Sequence, residues 1–357
     1  MRWTRREGVD KLPVQAASWR ATVETGSGPT TMKNVEIFAV ESGFPSSIVL
    51  TIDILAAANR LRVAEDRPPP FDYWLAGPAA DRFAGLAPAR RDGAQSSPDI
   101  VIVPGIGLFN PKAVEEGLER SSASDARRRL LLAHEEGKEI AASCTGVFLL
   151  ASAGILDGRR ATTAWWLAAY FSKLFPNVVL DREAMVVTDG HLTTAGAAMA
   201  QVDLVLTLVA RHASPMLADA CSRYLLMDAR RSQTSFISLD FLTAGDERLR
   251  RARAWAEARL GEEFTVDELA GIAGMSPRTF ARRLAATTGL SPVRFLQRLR
   301  AERAIALLET TRLPVDEIAH RVGYADASTL RRVLRRHGGD SPRAFRDAAM
   351  AAFERVD

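Results

Sequence analysis

Short apolar runs alternate with longer amphipathic stretches over the first two thirds of the chain. The strand-like runs are VEIFAV (35–40), FDYWLAG (71–77), DIVIVPG (99–105) and EIAASC (139–144), followed by a hairpin pattern at 184–196 with Asp189-Gly190 as its turn. Helical periodicity covers residues 48–61, 125–137, 145–156, 197–212 and 214–231. Because apolar strands separated by helices indicate a parallel sheet covered on both faces, the pattern predicts an α/β domain.

Beyond residue 245 the pattern is helical and contains a repeat. Residues 266–295 and 315–345 both begin with Val-Asp-Glu, then Leu or Ile, then Ala, and both end with Gly-x-Ser-Pro-x-x-Phe. Agreement at both ends of two segments of this length indicates a duplication within the chain.

Each copy has the pattern of a helix-turn-helix unit. In the first copy Gly274 suits the turn, and Ser276-Pro277 is a typical start for the second helix. Helical spacing turns Phe280 and Leu284 toward the core and turns a set of polar side chains outward. The side chains that we expect to face DNA across the two copies are Arg278, Thr279, Arg282, Ser328, Thr329, Arg332, Arg335 and Arg336.

The charge distribution favours nucleic-acid binding by the same half of the chain. The net charge is +4, but residues 246–357 hold 21 Arg, no Lys and 16 acidic residues, so this segment carries +5 and the remainder −1. Arginine forms bidentate contacts with guanine and binds phosphates. Residues 291–310 are predicted to form a helix, which can hold the two units one duplex turn apart. Double-stranded operator DNA is therefore the expected partner.

The second copy also carries a family pattern. IAHRVGYADASTLRRVLRRHGGDSPRAFR (318–346) has Ile-Ala-x-x-Val-Gly-Tyr, a serine in the second helix, an arginine four residues later, and Gly-x-Ser-Pro. With about 100 residues around it, this segment resembles the DNA-binding domain of the AraC family. The resemblance implies a transcription regulator, often an activator that contacts RNA polymerase, and a homodimer. Thr329, Leu330 and Leu334 stand where the family usually has aromatic residues, and we expect only repacking there.

A cysteine lies where a predicted buried strand changes into a helix. The helix N-terminus favours the thiolate of Cys144, and the N–H groups of Thr145 and Gly146 suit an oxyanion or a bound carboxylate. Gly105 follows a neighbouring strand, and Trp165 either lines a pocket or packs in the core. The candidate ligand residues are Cys144, Thr145, Gly146, Gly105 and Trp165.

The same region resembles a second family. Residues 99–105, 142–163 and 193–204 are similar to the PfpI-like, class I glutamine amidotransferase-like superfamily, in the form fused to AraC-type domains. The resemblance implies a flavodoxin-like, mostly parallel sheet with helices on both faces. It also implies that an enzyme of this type would pair the elbow cysteine with a histidine or with an acidic residue after the first strand.

Those catalytic partners are missing from the expected positions. Ala164 stands where a histidine is common, Ser46 and Ser47 stand where an acidic residue is expected, and only Glu41 and Asp53 remain nearby in sequence. Since cysteine without a general base is a poor hydrolase, we expect no catalytic residue and a regulator that responds to a small-molecule effector near Cys144. The alternatives are a cysteine-dependent amidase, protease or glyoxalase-like enzyme fused to a DNA-binding domain, and a first domain that only dimerises.

The expected domain order follows from these patterns. Residues 1–32 form a disordered leader, 33–230 a ligand-sensing and dimerisation domain, 231–245 a linker, and 246–350 the DNA-binding domain. No apolar run approaches the roughly 20 residues of a membrane helix, and the N-terminus lacks a signal-peptide core, so we expect a cytoplasmic protein without membrane contact. The two cysteines and five scattered histidines show no metal spacing, so no metal or cofactor is expected.

Overall fold

The secondary structure comes from a computed structural model, which describes residues 31–40, 43–87, 97–227, 230, 232–337 and 341–353, with backbone only for 336–337 and 348–353. The predicted leader falls almost wholly outside these residues, and so do Glu41 and the side chain of Arg336. The strands are β1 (Lys33–Phe38), β2 (Phe71–Ala76), β3 (Ile100–Val103), β4 (Glu139–Ser143), β5 (Arg160–Ala161), β6 (Val179–Leu180), β7 (Val186–Asp189) and β8 (Leu192–Ala195).

Helices make up most of the remaining described residues. The α-helices are α1 (Pro45–Val63), α2 (Pro111–Glu119), α3 (Ser121–Glu135), α4 (Val147–Ser152), α5 (Ala168–Leu174), α6 (Gln201–His212), α7 (Pro215–Tyr224), α8 (Leu239–Thr243), α9 (Glu247–Glu257), α10 (Val266–Ile272), α11 (Pro277–Thr288), α12 (Pro292–Thr310), α13 (Val315–Arg321), α14 (Ala327–His337) and α15 (Pro342–Phe353). Short 3-10 helices cover Ala80–Phe83, Cys144–Gly146, Trp165–Leu167, Ala198–Ala200 and Thr234–Phe236. No helix of the described residues is both long and apolar enough to cross a bilayer.

Six of the described strands form one sheet in the order β2-β1-β3-β4-β8-β7. The first five strands run parallel, and β7 pairs antiparallel with β8. This order of the parallel strands is that of a flavodoxin-like sheet, so the predicted fold class is confirmed. The predicted turn at Asp189-Gly190 is also confirmed, because Asp189 pairs with Leu192 across it.

Both faces of the sheet are buried, as the apolar strands predicted. Ile100 and Ile102 pack into one cluster with α1, α6 and α7, whose helices also contact one another. Val101 and Val103 alternate with them along β3 and are equally buried, so they face the opposite side. Helix α3 packs against β4.

The described residues group into two compact units that do not follow chain order. The first unit contains the described residues up to Gly107, together with Ser121–Leu150 and Met185–Arg231. The second unit contains Leu108–Arg120, Ala151–Ala184 and the described residues from Ser232 onward. The domain boundaries given above remain a prediction.

The helical half has two apolar cores that share one helix. Phe295 and Leu299 of α12 pack in the first core with α10 and α11, and Leu307 and Leu308 of the same helix pack in the second core with α13 and α14. Phe280 and Leu284, which were predicted to point inward, are fully buried, and so are Leu330 and Leu334 in the second unit. The expected repacking at Leu330 and Leu334 is therefore accommodated without a change of fold.

Candidate functional site

Two helix-turn-helix units lie in the second unit of the structure. In the first, α10 and α11 are joined through Gly274, whose φ is +65°, and in the second, α13 and α14 are joined through Gly323, whose φ is +80°. A positive φ suits glycine because a Cβ would clash with the backbone. The second helix of each pair, α11 or α14, therefore corresponds to the recognition helix of such motifs.

Four of the arginines that the sequence placed on the outward faces are exposed and have no ion-pair partner among the described residues. They are Arg278 and Arg282 on α11 and Arg332 and Arg335 on α14. Neighbouring arginines differ, because Arg283 pairs with Asp246 and Arg321 pairs with Glu317. The guanidinium groups on the outward faces of α11 and α14 are thus free to bind phosphates or bases.

The hydroxyl residues predicted to face DNA bind the capping residues of their own helices, Ser276 and Asp326. The Ser276 and Thr279 hydroxyls lie 3.0 Å apart, and the Thr279 N–H donates to Ser276 Oγ. On α14 the Ser328 hydroxyl and the Thr329 N–H and hydroxyl all donate to the Asp326 carboxylate. These bonds lower the pKa of Asp326 to about 2, so the cap is lost only as pH falls toward that value.

Sequence reasoning missed the residues that hold the helical half together. Asp246 caps α9 and binds Arg283 of α11, while Arg298 is buried within α12 and donates to the carbonyls of Thr234 and Ile237. A signal for Arg298 existed, because it follows Phe295 by three residues and therefore lies on the apolar face of the helix. An arginine on such a face indicates a buried polar partner.

The predicted ligand elbow lies in the first unit, at the carboxyl ends of the central strands. The loop after β1 and the loop after β3 meet there, since the Phe44 N–H donates to the Gly105 carbonyl at 2.7 Å. In this fold class ligands bind where strand order reverses, which here is between β1 and β3. Cys144 follows β4 at the same edge and has φ +53°, a left-handed conformation that costs about 1–3 kcal/mol for a non-glycine residue.

Close packing brings three of the predicted ligand residues together. A Cβ on Gly105 would lie 3.2 Å from Cys144 Cβ, 3.7 Å from Cys144 Sγ and 3.8 Å from Ser47 Oγ, while Gly146 lies against the carbonyls of Val103 and Pro104. Ser47 is thus a neighbour of the elbow that sequence reasoning had noted only as a missing acid.

Several buried oxygens around the elbow have no hydrogen-bond partner among the described residues. They are Ser46 Oγ, Ser143 Oγ and Gln201 Oε1. Gln201 is linked to the elbow through Thr51, since Gln201 Nε2 donates to Thr51 Oγ1 and Thr51 Oγ1 donates to the Ser47 carbonyl. Because unpaired buried oxygens cost free energy, a site with several of them suits water or a polar ligand.

The expectation of a thiolate at Cys144 is wrong. Burial raises the pKa of the Cys144 thiol to about 11, although the N–H and hydroxyl of Thr145 oppose this shift. Desolvation of the charged form outweighs the partial positive charge of the helix terminus. The thiol is therefore protonated near neutral pH.

The other residues considered in the sequence lie elsewhere. Trp165 is in the second unit, where its ring makes edge contacts with Trp166 and Phe241 at 5.5 Å in each case. Asp53 is exposed on α1, and Ala164 is fully buried. Cys221 is buried in α7, as its predicted packing role requires. No group of three or more His, Cys, Asp or Glu residues in the described part of the chain is arranged to hold a metal ion.

Comparison with known proteins supports both halves of this picture. A family model described as a helix-turn-helix domain matches residues 269–348, and a model described as the DJ-1/PfpI family matches residues 89–211. The HTH-type transcriptional regulator GbdR of Pseudomonas aeruginosa is 28% identical over 264 residues, which cover 71% of this chain and 72% of GbdR.

Two further relatives are a regulator and an enzyme. The HTH-type transcriptional regulator GlxA of Rhizobium meliloti is 26% identical over 214 residues, which cover 59% of this chain and 65% of GlxA. Isonitrile hydratase of Pseudomonas putida is 35% identical over 113 residues, but these cover only 31% of this chain and 43% of the enzyme. The chain thus belongs to the AraC-type DNA-binding transcription regulators that carry a DJ-1/PfpI-like domain before their helix-turn-helix region.

Proposed function

We propose that this transcription regulator changes its affinity for operator DNA when a small polar molecule binds beside Cys144. The observation that carries this proposal is the strained, buried elbow together with the unpaired buried oxygens of Ser46, Ser143 and Gln201. Hydroxyl groups accept and donate, and the amide oxygen of Gln201 accepts, so the ligand needs hydrogen-bond donors as well as acceptors. An amino-acid derivative or another nitrogen-containing metabolite has that chemistry.

We further propose that DNA is contacted by Arg278, Arg282, Arg332 and Arg335 through bases or phosphates, with Thr279, Ser328, Thr329 and Arg336 beside them. The active form is a homodimer that positions two pairs of recognition helices on one operator, and an activator of this type contacts RNA polymerase. The exposed, unpaired arginines of α11 and α14 support the proposed DNA contacts.

In this proposal the first domain is a sensor and not an enzyme. Cys144 is protonated near neutral pH, and the positions expected to supply a base hold Ala164, Ser46 and Ser47. A nucleophilic mechanism needs the thiolate and a group that accepts its proton. The rival function, a cysteine-dependent hydratase or amidase, rests on the partial similarity to isonitrile hydratase.

Thermal unfolding of the full-length protein against a set of amino acids, amines and carboxylic acids tests the proposal. A ligand that binds the folded state raises Tm as its concentration increases. We expect this rise for the wild type and for Cys144→Ala, and not for Gly105→Leu, whose side chain would crowd Cys144 and Ser47, since its Cβ alone lies 3.2 Å from Cys144 Cβ. Operator affinity should change over the same ligand concentrations.

Two results would contradict the sensor proposal. One is a Tm that rises equally in Gly105→Leu, checked as folded by circular dichroism, because the ligand would then bind elsewhere. The other is turnover of isonitrile or amide substrates that Cys144→Ala abolishes, which would make the first domain an enzyme.

A further inference from the structure

A short segment at the beginning of α6 contacts both the cysteine elbow and Arg230, the last residue before the predicted linker. It consists of the 3-10 helix Ala198–Ala200 and the first residues of α6, Gln201–Asp203, and we call it the α6 start. Its contacts with the elbow and with Arg230 lie within the first unit. The proposed ligand and DNA contacts leave the role of Arg230 unexplained.

The α6 start is joined to the elbow by side-chain hydrogen bonds. The Ser47 hydroxyl, which lies near Gly105, donates to the Ala198 carbonyl at 3.3 Å. Gln201 Nε2 donates to Thr51 Oγ1 at 2.7 Å, and Thr51 Oγ1 in turn donates to the Ser47 carbonyl at 2.7 Å. Ser47, Thr51 and Gln201 are fully buried, so water does not readily replace these bonds. A change at the elbow that moves Ser47 therefore reaches the α6 start directly.

Arg230 binds the α6 start through both its backbone and its guanidinium. The Arg230 N–H donates to Asp203 Oδ1 at 2.9 Å, and Arg230 Nη2 donates to Asp203 Oδ2 at 2.8 Å. Nη2 also donates to the Met199 carbonyl. Charge-assisted hydrogen bonds to both oxygens of one carboxylate are strong and fix the geometry of the pair. The backbone at residue 230 is thus held on the α6 start.

The burial of Asp203 gives this contact two distinct states. The Asp203 side chain has no exposed surface, and Val202, Leu204 and Val205 beside it are buried apolar residues. Burial raises the pKa of Asp203, and Arg230 opposes that shift. A buried carboxylate without its cation is strongly unfavourable, so a half-released Arg230 is unfavourable too. Arg230 is either docked on a charged Asp203 or released, with the carboxylate protonated or exposed to water.

This ion pair is better suited to positioning the chain than to stabilising the domain. Replacing a buried ion pair with apolar residues of similar volume is often neutral or stabilising, so folding alone does not require Asp203 and Arg230. What the pair provides is a fixed position for the chain just before the linker.

The chain enters the DNA-binding half shortly after Arg230. Three residues separate Arg230 from Thr234, and this connection spans at most about 14 Å. The carbonyls of Thr234 and Ile237 accept from Arg298 of α12, and α12 supplies residues to the cores of both helix-turn-helix units. Docking or release of Arg230 therefore changes the constraint on the segment that α12 binds.

We propose that Arg230 couples the elbow to the DNA-binding half: a ligand at the elbow shifts the α6 start, this shift changes the fraction of molecules in which Arg230 is docked, and docking sets the affinity for operator DNA. The inference rests on the proposed function, because it assigns the route by which the elbow site acts. Arg230 is a positioning residue in this scheme, since it acts without touching the ligand or the DNA.

Hydrogen exchange of the Arg230 amide in the full-length protein measures docking without any ligand, because that N–H makes one of the docking bonds. Gln201→Met removes the bond to Thr51 and keeps a side chain of similar length. We expect the Arg230 amide to exchange about fivefold faster or more, since the net contribution of one hydrogen bond corresponds to about that factor. Ser47→Ala, a milder change, removes the bond to Ala198 and should act in the same direction.

Val209→Ala is the control on the same helix. Val209 is buried in the last turns of α6, so its truncation weakens the packing of the helix and leaves the hydrogen bonds of the α6 start intact. Exchange of the Arg230 amide should then change less than about twofold. Equal acceleration in Val209→Ala and Gln201→Met would overturn the inference, and so would unchanged exchange in both Gln201→Met and Ser47→Ala.

The link to DNA is tested by a double-mutant cycle on a duplex selected from a random library. Arg230→Met alone should change the operator Kd by about threefold or more, near the lower end of typical couplings between sites. Gln201→Met should change Kd in the wild type and have little further effect in Arg230→Met, because the route is already broken there. Effects that simply add would overturn the inference, as would an unchanged Kd in folded Arg230→Met.

Two further variants separate docking from misfolding and from loss of charge. Asp203→Leu combined with Arg230→Met leaves no unpaired buried carboxylate, so this protein should fold and should change Kd as Arg230→Met does. A wild-type Kd in this double variant would contradict the coupling. Arg223→Met removes one exposed positive charge from α7 of the same unit, and it should leave the operator Kd within about twofold of wild type.

The thermal unfolding test of the elbow succeeds or fails separately. If no compound raises Tm while the cycle is non-additive, the sensor proposal fails and the coupling through Arg230 is supported. If a compound raises Tm and shifts the operator Kd equally in the wild type and in Arg230→Met, the sensor proposal is supported and the coupling through Arg230 is wrong.

Discussion

Cys144 shows how burial decides the chemistry of a single residue. Its place at the end of a strand and the start of a helix favours the anion, but the surrounding protein removes the thiol from water and raises its pKa to about 11. The strained φ of +53° is retained because the packing of Gly105 and Gly146 leaves little room for another backbone path.

The rate at which iodoacetamide alkylates Cys144 should therefore depend on pH as expected for a thiol with a raised pKa. Near pH 8 on the order of one thiol in a thousand is ionised, so we expect Cys144 to react at least about 100-fold more slowly than an ordinary free cysteine. The rate should rise about tenfold for each pH unit from roughly pH 7 to 10. Mass spectrometry of the alkylated peptide distinguishes Cys144 from Cys221. A rate that reaches a plateau below about pH 9 would show that the thiolate is stabilised after all.

At the scale of elements, α12 joins the parts of the helical half. It supplies apolar residues to both helix-turn-helix cores, and through Arg298 it also binds the segment at 234–237. The residue before that segment, Gln233, is also fixed in place, because its Nε2 donates to the Thr163 and Ala184 carbonyls at 3.1 Å each. Residues 233–237, which lie within the predicted linker, thus make buried contacts.

Replacing the buried arginine should release this segment. Arg298→Met leaves the Thr234 and Ile237 carbonyls without their donor, and it removes the partner of Glu302, whose pKa is already raised by burial. Losing charged hydrogen bonds from a buried site costs about 2–3 kcal/mol, so hydrogen exchange at 234–239 should accelerate by about 30- to 150-fold.

A matched substitution on the same helix gives the control. Arg300 lies over the Tyr324 ring at 5.3 Å and does not bind the 234–237 segment in the described contacts, so Arg300→Met should leave exchange there unchanged. Equal acceleration in both variants would mean that α12 is destabilised as a whole and that Arg298 has no specific role.

At the scale of the whole molecule, periodic features were predictable and contacts between distant segments were not. The strands, the helices and the inward positions of Phe280 and Leu284 follow from regular spacing, which a sequence displays directly, whereas the flavodoxin-like sheet was expected from the family resemblance. β5 and β6 have two residues each, too few to show a period. The backbone carbonyls that Arg298 binds lie more than 60 residues away in the sequence, so no local pattern reveals them.

The central claim is that the free arginines of α11 and α14 bind DNA with sequence preference. The measurement is the affinity of the full-length protein for a duplex selected from a random library, compared with a scrambled duplex at one moderate salt concentration. We expect roughly 10³-fold or greater preference for the selected duplex. Arg332→Ala should weaken binding to it by about 1–3 kcal/mol and reduce the preference.

Arg250→Ala is the control, since it removes the same charge from an exposed arginine of α9 that is paired with Glu247. It should change the affinity for either duplex less than about twofold, in line with the small contribution of exposed ion pairs. The account is contradicted if the folded protein selects no sequence over bulk DNA, or if Arg332→Ala and Arg250→Ala bind the selected duplex equally well.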